Sequence, residues 1–376
     1  MEITVEQFEK LNKEERAVFD IRPATDREYG FIPDSASVDE SDLRKNPPKD
    51  KSQKIVVYCA KGILSIDIAE WLCEQGYEAY SLQGGYSQYL RMQMQKQTDD
   101  DFCKRVEQSL TGKFKKDIFG KFYKAIKEYK LINEGDNIAV CISGGKDSML
   151  MAKLFQEYKR HSNLNFDVRY LVMDPGYAKA NREIIEENAR RLHVPITVFE
   201  TDIFESVYNV DKSPCYLCAR MRRGYLYNFA KQLGCNKIAL GHHYDDVIET
   251  ILMGMLHGAQ IQTMMPKLHS TNFEGMELIR PLYLIREDDI KAWRDYNDLH
   301  FIQCACKFTD TCTSCNNGQN RSKRQETKML IRELKKSNPD VEKCIFKSVE
   351  NVQLNTVIAY KKDGIKHSFL DEYDDN

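Results

Sequence analysis

Fourteen residues, NIAVCISGGKDSML, constrain this chain more than any other stretch. An apolar run of strand length ends in a loop carrying Gly144 and Gly145, and a helical pattern starts at about Lys146. The glycines let backbone approach an anion closely, Lys146 supplies a cation, and the following helix N-terminus adds positive potential. The loop Ser143–Ser148 is therefore expected to cradle phosphate. It is not the G-x-x-x-x-G-K-[ST] loop, because Val140 stands where the first glycine is needed and Asp147 where Ser or Thr belongs. The same alternation continues through DVRYLVM, ITVFET and KIALG, with helical stretches at NREIIEENARRL, after Cys215 and at DDVIETILMGML. Four strands joined by helical crossovers predict an α/β fold, a parallel sheet covered on both faces.

A smaller α/β domain is expected before it, from the runs AVFDI, IVVYC and AYSLQGG around the helical ILSIDIAEWLCEQGY. The polar stretch RMQMQKQTDDDF marks the boundary. This divides the chain into 1–97, a linker at 98–112, a second domain at 113–338 with a helical, cysteine-containing C-terminal part, and an extension at 339–376. A length of 376 residues suits two or three domains, each able to bury a core without disulfides. No apolar run approaches the roughly 18 residues that span a bilayer, and MEITVEQFEKLNKEER has no apolar leader, so a cytoplasmic protein without membrane partners is expected. In that compartment the 12 cysteines read as metal ligands, reactive thiols or small core residues. The stretch KFKKDIFGKFYKAIKEYK, Lys113–Lys130, admits two readings: a phosphate-backbone footprint, or an amphipathic helix with a solvated lysine face.

In VVYCAKGILS, Cys59 stands where a buried strand ends, ahead of Gly62 and a helix from about Ile63. Backbone N–H groups and a helix N-terminus aimed at the sulfur favour a thiolate nucleophile. With FDIRPATDREYGFIPDSASV upstream and SLQGGYSQYL downstream, the segment resembles the three signature segments of the rhodanese domain across about residues 1–95. The resemblance implies that Cys59 carries a persulfide. Leu64 occupies a position where many rhodanese loops hold arginine, and Tyr89 replaces a customary tryptophan. Small anionic donors should then be held weakly, and sulfur is expected from a protein donor such as a cysteine desulfurase. A rhodanese used only for docking is the alternative.

S-G-G-K-D-S after a buried strand resembles the PP-loop of ATP pyrophosphatases, which split ATP into AMP and pyrophosphate. Attack of a carbonyl oxygen on the α-phosphorus turns that oxygen into a leaving group, so enzymes of this class activate amides or nucleobase carbonyls. The segments around the loop, SPCYLCARMRRGYLYNFAKQLGCNKIALGHHYDDVIET and IRPLYLIREDDIKAW together resemble the tRNA 2-thiocytidine synthetase family over about residues 113–300. The resemblance implies ATP bound by Ser143, Gly144, Gly145, Lys146, Asp147 and Ser148, assistance from Mg2+, and a [4Fe-4S] cluster held by three cysteines. Alone, Cys215-x-x-Cys218 could be a zinc half-site, a redox dithiol, part of an iron-sulfur site or a structural pair; by position it matches two of the three ligands. The third is Cys304, at the end of HFIQ, with Cys306 and Cys312 as rivals and Cys315 close by. One iron would then stay open for sulfur.

Three further expectations concern the strand ends. Asp245 and Asp246 of GHHYDD are candidates for Mg2+ or for orienting a carbonyl, His242 or His243 for polarising a base, and Asp174 for contacting nucleotide or substrate. Arg220, Arg222, Arg223 and Arg321 to Arg324 join the lysine stretch as candidate tRNA-backbone contacts, and a homodimer is left open. The leading expectation is an ATP-dependent tRNA sulfurtransferase that thiolates C2 of a pyrimidine, cytidine first. Two readings compete with it. A lysidine-synthetase-like ligase shares the loop but gives Cys59, Cys215 and Cys218 no use. A zinc-stabilised binding protein would use Cys215, Cys218, Cys312 and Cys315 as a structural thiolate site.

Overall fold

The computed structural model describes residues 1–95, 99–203, 214–302 and 323–373, with the side chains of 95, 99, 214–216, 218, 219 and 372 excepted. Residues 1–95 form a five-stranded, all-parallel sheet in the order β1-β5-β4-β2-β3. The strands are β1 (Glu2–Ile3), β2 (Arg16–Asp20), β3 (Ser35–Ser37), β4 (Lys54–Tyr58) and β5 (Ala79–Leu82). Central β4 is apolar after Lys54 because both its faces are covered: Ile55, Val56, Val57 and Tyr58 are fully buried. Leu64–Glu74 and Gly85–Gln95 are helices that follow β4 and β5. The runs AVFDI, IVVYC and AYSLQGG thus become β2, β4 and β5, and two short edge strands, β1 and β3, join them.

The second sheet has six strands in the order β10-β11-β9-β6-β7-β8. Its members are β6 (Asn137–Ile142), β7 (Asp167–Asp174), β8 (Ile196–Glu200), β9 (Lys237–Ala239), β10 (Lys267–His269) and β11 (Glu277–Ile279). All pairings are parallel except β10 with β11, so the expected four-stranded parallel sheet is extended by β11 and by an antiparallel edge strand. Strand order reverses between β6 and β9, which opens a crevice at their carboxyl ends.

The expected linker at 98–112 is instead largely the helix Asp99–Thr111. Phe102, Val106 and Leu110 recur every fourth residue on one face, and all three are buried in the core of the second domain. In the lysine-rich stretch, a π-type turn at Lys115–Phe119 leads into the helix Gly120–Glu128. Ile118, Phe122, Ala125 and Ile126 face the core, while Lys115, Lys116, Lys124 and Lys127 are exposed.

Tyr244–Met265 and the described residues of Asn317–Asn376 form a separate compact unit. It holds the helices Tyr244–Gly258, Lys323–Ser337 and Val341–Ser348 and a two-stranded antiparallel ribbon, β12 (Ala359–Lys362) and β13 (Ile365–Ser368). Tyr244 stacks on Phe346 with ring centroids 4.6 Å apart. Among the described residues no helix is long and apolar enough to cross a membrane.

Candidate functional site

The Cys59 loop leaves β4 and folds back on itself tightly. Gly62 (φ +77°) and Gly85 (φ +58°) adopt left-handed backbone, and a methyl on Gly85 would sit 2.4 Å from the Cys59 carbonyl oxygen. Cys59 is 5% exposed. Its sulfur accepts a hydrogen bond from the Gly62 N–H at 3.1 Å and another from the Ser65 hydroxyl at 3.5 Å. Two donors converge on the sulfur as they would on an anion. Elsewhere in the chain burial, helped by Cys235, pushes the Cys141 thiol up to about 12. Ile63 and Leu64, 65% and 61% exposed, form an apolar edge of the Cys59 loop, beside partly exposed Lys61.

The upstream signature turns out to be scaffold. Arg22 donates to both carboxylate oxygens of fully buried Asp20 at 2.9 and 2.7 Å, the Tyr58 hydroxyl adds a third bond at 2.8 Å, and the guanidinium lies 4.0 Å from the Tyr86 ring centre. Burial, with Asp20 adding to it, pushes Tyr58 up to about 12, so its hydroxyl keeps its proton.

At the second loop, the Ser143 N–H and hydroxyl both donate to the Ser148 hydroxyl, at 3.1 and 3.2 Å, and that hydroxyl donates to the Gly145 carbonyl at 3.0 Å. Gly144 has φ +83°. A methyl there would meet Ile185 at 2.6 Å and Ile302 at 2.8 Å, so the loop is pressed between apolar groups on one side. Gly145 is the N-cap of the helix Lys146–His161, and no side chain caps that end. The orphan N–H groups of the first turn suit a phosphate. Asp147 Oδ1 is buried with no hydrogen-bond partner among the described residues, a further mark of a site built for a charged ligand.

Lys146 is 6% exposed, and its ammonium sits 3.2 Å from Asp147, 3.4 Å from Glu287 and 5.4 Å from the ring centre of Tyr29. Burial opposes the charge, but Asp147, Glu287 and Tyr29 together prevail and hold the ammonium above its ordinary range. Glu287 and Tyr29 are neighbours of Lys146 that sequence reasoning missed. Glu287 opens the helix Glu287–Tyr296 beside Asp288 and Asp289, where acids merely complement the helix dipole, and nothing local distinguishes it from them.

Other candidates gather at the same strand ends. Gly241 abuts the first turn of Lys146–His161, with a would-be methyl 3.3 Å from Ser148 N, and His243 Nε2 lies 3.9 Å from Asp147 Oδ1. Asp174, at the end of β7, accepts from the N–H groups of Gly176 and Tyr177 at 2.8 and 2.6 Å and pairs with Arg182 at 3.4 Å, which makes it a turn anchor. Cys215 and Cys218 lie in the first turns of the helix Pro214–Gln232. Between them Leu217 packs with Met221 and Leu226 against Met173, the residue before Asp174, and Ile203. Their side chains lie outside the described residues, as do Cys304, Cys306, Cys312, Cys315 and Arg321. The chain enters that last segment from Ile302, the residue that touches the phosphate loop. Soft thiolates one helical turn apart suit an iron-sulfur cluster as a donor set. Among the described residues no three metal-binding side chains converge.

Asp245 and Asp246 begin the helix Tyr244–Gly258 of the separate unit. There Arg324 bridges Asp246 at 2.5 Å and Glu249 at 2.8 Å, so an arginine expected to face RNA is held in an internal ion pair. Arg220 and Arg223 are exposed.

Comparison with known proteins agrees with this geometry. A PP-loop domain model matches residues 115–309, more than half of the chain, and a rhodanese-like domain model matches residues 4–92. A tRNA-cytidine(32) 2-sulfurtransferase of Geotalea uraniireducens is 36% identical over 61% of this chain and 89% of its own length. One from Vibrio parahaemolyticus is 35% identical over 61% of this chain and 74% of its own length. Among solved structures, the U34-tRNA thiolase NcsA from Methanococcus maripaludis with its [4Fe-4S] cluster overlays with a TM-score of 0.48 at 20% identity, over 62% of this chain and 79% of that one. The chain belongs to the PP-loop family and, within it, to the family of the tRNA-cytidine(32) 2-sulfurtransferases, and it carries a rhodanese-like domain ahead of the shared region.

Proposed function

We propose that this chain replaces O2 of a tRNA cytidine, at position 32 as in its relatives, with sulfur at the expense of ATP, and that its own rhodanese-like domain relays the sulfur. The observation that carries the reading is the convergence, at the carboxyl ends of β6 and β7, of the Ser143–Ser148 loop, the helix bearing Cys215 and Cys218, and Ile302. ATP seated in that loop has its α-phosphorus attacked by the cytidine O2, and pyrophosphate leaves. Sulfide then adds at C2 and AMP carries the oxygen away. Lys146 and the first-turn N–H groups hold the phosphates. Asp147, with its buried oxygen, is the candidate ligand for Mg2+.

Cys215, Cys218 and Cys304 are the residues proposed to hold a [4Fe-4S] cluster, whose open iron would supply a binding position for sulfur. Cys304 is preferred because, by position at the end of HFIQ, it matches the later cysteine of the family that the sequence resembles. Cys59 is proposed to take a persulfide from a protein donor such as a cysteine desulfurase. Its outer sulfur leaves as sulfide on two-electron reduction by a thiol. The exposed Ile63 and Leu64 suit a protein donor better than thiosulfate.

Nucleoside mass spectrometry of tRNA from a strain lacking the protein tests the whole reading: 2-thiocytidine should vanish, and an unchanged thionucleoside profile refutes it. Anaerobically purified protein should be brown, with broad absorbance near roughly 400 nm that Cys215→Ser removes. A colourless protein with stoichiometric zinc would instead favour the structural thiolate site.

A further inference from the structure

Glu28 and Tyr29 lie in the short helical turn Ala24–Tyr29, which belongs to the rhodanese-like domain. The turn is firmly held. Arg27 donates to the Ser35 carbonyl at 2.8 Å and to its hydroxyl at 3.0 Å, and lies 4.1 Å from the Phe31 ring centre. Gly30 follows at φ +121°, where a methyl would come 2.3 Å from the Tyr86 hydroxyl and 3.6 Å from His300 Nδ1. Gly30 thus packs tightly on Tyr86 of its own domain, and the His300 ring of the second domain lies beside it. There Glu28 pairs with Lys291 at 3.0 Å, Lys291 reaches Glu287 at 3.6 Å, and Glu287 reaches the loop lysine, Lys146, at 3.4 Å. Lys291, Glu287 and Lys146 are 16%, 8% and 6% exposed in their side chains and Glu28 is 40% exposed, so the chain of alternating charge is shielded from water and salt at its Lys146 end and open at Glu28. The Tyr29 ring lies over the Lys146 ammonium.

A lysine ends in a flexible four-carbon stem, and an ammonium that must meet a phosphate gains from being held in place beforehand. We propose that the Glu28–Tyr29 turn is a positioning element of the ATP site, holding the Lys146 ammonium at the phosphate loop through the Tyr29 ring and the Glu28–Lys291–Glu287 chain. The inference rests on the reading of Ser143–Ser148 as the ATP loop. It makes the sulfur-carrying domain part of the nucleotide site, so the ATP site is complete only while that domain is docked. Coupling of this kind is reciprocal, and ATP should in turn favour docking.

The test measures ATP binding directly on the full chain, by equilibrium dialysis, beside the ATP dependence of AMP formation. Tyr29 and Glu28 are partly exposed, so substitutions there spare the core. Tyr29→Ala should weaken ATP binding about threefold to thirtyfold, the range of a cation–π contact from exposed to desolvated. KM for ATP should rise with little change in kcat, and Tyr29→Phe should restore binding to within about twofold, because it keeps the aromatic ring beside the ammonium. Glu28→Gln should weaken binding by about 1.5- to 5-fold, as befits a half-exposed ion pair. Unchanged or tighter ATP binding in Tyr29→Ala overturns the inference, and so does a Tyr29→Phe variant that fails to rescue. Unchanged binding in Glu28→Gln removes the ionic chain from it. Wild-type protein that binds no ATP refutes the earlier reading itself, a result none of these variants can produce.

Discussion

Two neighbouring glycines separate the folding role of the phosphate loop from its binding role. Gly144 has φ +83°, which costs a residue with a Cβ roughly 1–2 kcal/mol, and a methyl there would approach Ile185 Cγ1, Ile302 Cδ1 and Ile185 Cδ1 at 2.6, 2.8 and 2.9 Å. Ordinary carbon contacts are about 3.5–4.0 Å, so both isoleucines must retreat by roughly 1 Å, an overpacking worth about 1–3 kcal/mol. Gly144→Ala should therefore lose about 2–5 kcal/mol, a fall in Tm of roughly 4–15 °C in calorimetry. Gly145 differs: its φ of -84° suits any residue, and a methyl would find its nearest neighbours at 3.6 and 3.8 Å. Gly145→Ala should fold with stability within about 1 kcal/mol of wild type, shifted if anything upward. If phosphate lies against the loop backbone, however, the same methyl blocks it, and ATP affinity should drop at least about tenfold, near 1.4 kcal/mol. Gly145→Ala with wild-type stability and wild-type ATP affinity would refute the cradle. Gly144→Ala with an unchanged Tm would refute the packing of Ile185 and Ile302 on the loop.

Other consequences follow from single neighbourhoods. Fully buried Lys153 donates to Glu107 at 2.7 Å; burial resists the Glu107 charge, but Arg160 and Lys153 overcome it and bring the carboxyl down to about 2 from an ordinary 4.5. The folded value is depressed, so its stabilisation is full above pH 4.5 and fades as pH falls toward 2; urea titrations should show that loss in wild type and not in Glu107→Gln, which should be less stable at neutral pH by about 3–5 kcal/mol. Gly85→Ala, with its methyl 2.4 Å from the Cys59 carbonyl, should deform the sulfur loop and abolish persulfide loading in a thiol-trapping assay while ATP hydrolysis to AMP continues. Replacing exposed Lys115, Lys116, Lys124 and Lys127 by Gln should flatten the salt dependence of tRNA binding, each lost phosphate contact lowering the log–log slope by about 0.7–0.9; an unchanged slope would leave that face a solvated helix surface.

The long buried strands were legible because burial on both faces turns them into unbroken apolar runs. Ile55 to Tyr58 in β4 and NIAVCI in β6 show this directly. Edge strands β1, β3 and β10 were not, since two or three half-exposed residues carry no period. The helix Asp99–Thr111 was hidden for a different reason: the polar window RMQMQKQTDDDF stops at Phe102, and the apolar stripe through Val106 and Leu110 only begins there. At the site, loops were readable because a left-handed glycine and an uncapped helix start are local demands on sequence. Partnerships across the fold were not. Arg324 belongs to a basic run that reads as RNA-facing, yet Asp246 and Glu249 claim it, and Glu287 is one acid among three until the fold sets it beside Lys146.

Both loops solve one electrostatic problem with the same backbone device. In each, a buried parallel strand ends, a left-handed glycine turns the chain, and a helix begins, so that N–H groups converge above the strand's carboxyl end. What differs is the group placed there. After β4 the chain supplies its own sulfur, with Gly62 N–H 3.1 Å away, and the exposed Ile63 and Leu64 stand beside it. After β6 no side chain caps the turn, and a buried lysine between two carboxylates stands beside it, so the loop admits an anion and supplies the counter-charge. Exchanging the residues would not exchange the functions: a cysteine in the second loop would lie beside the Asp147 and Glu287 carboxylates, which disfavour a thiolate, and a lysine after β4 would have to bury its charge against N–H donors. The chemistry of each site thus follows from what surrounds the turn.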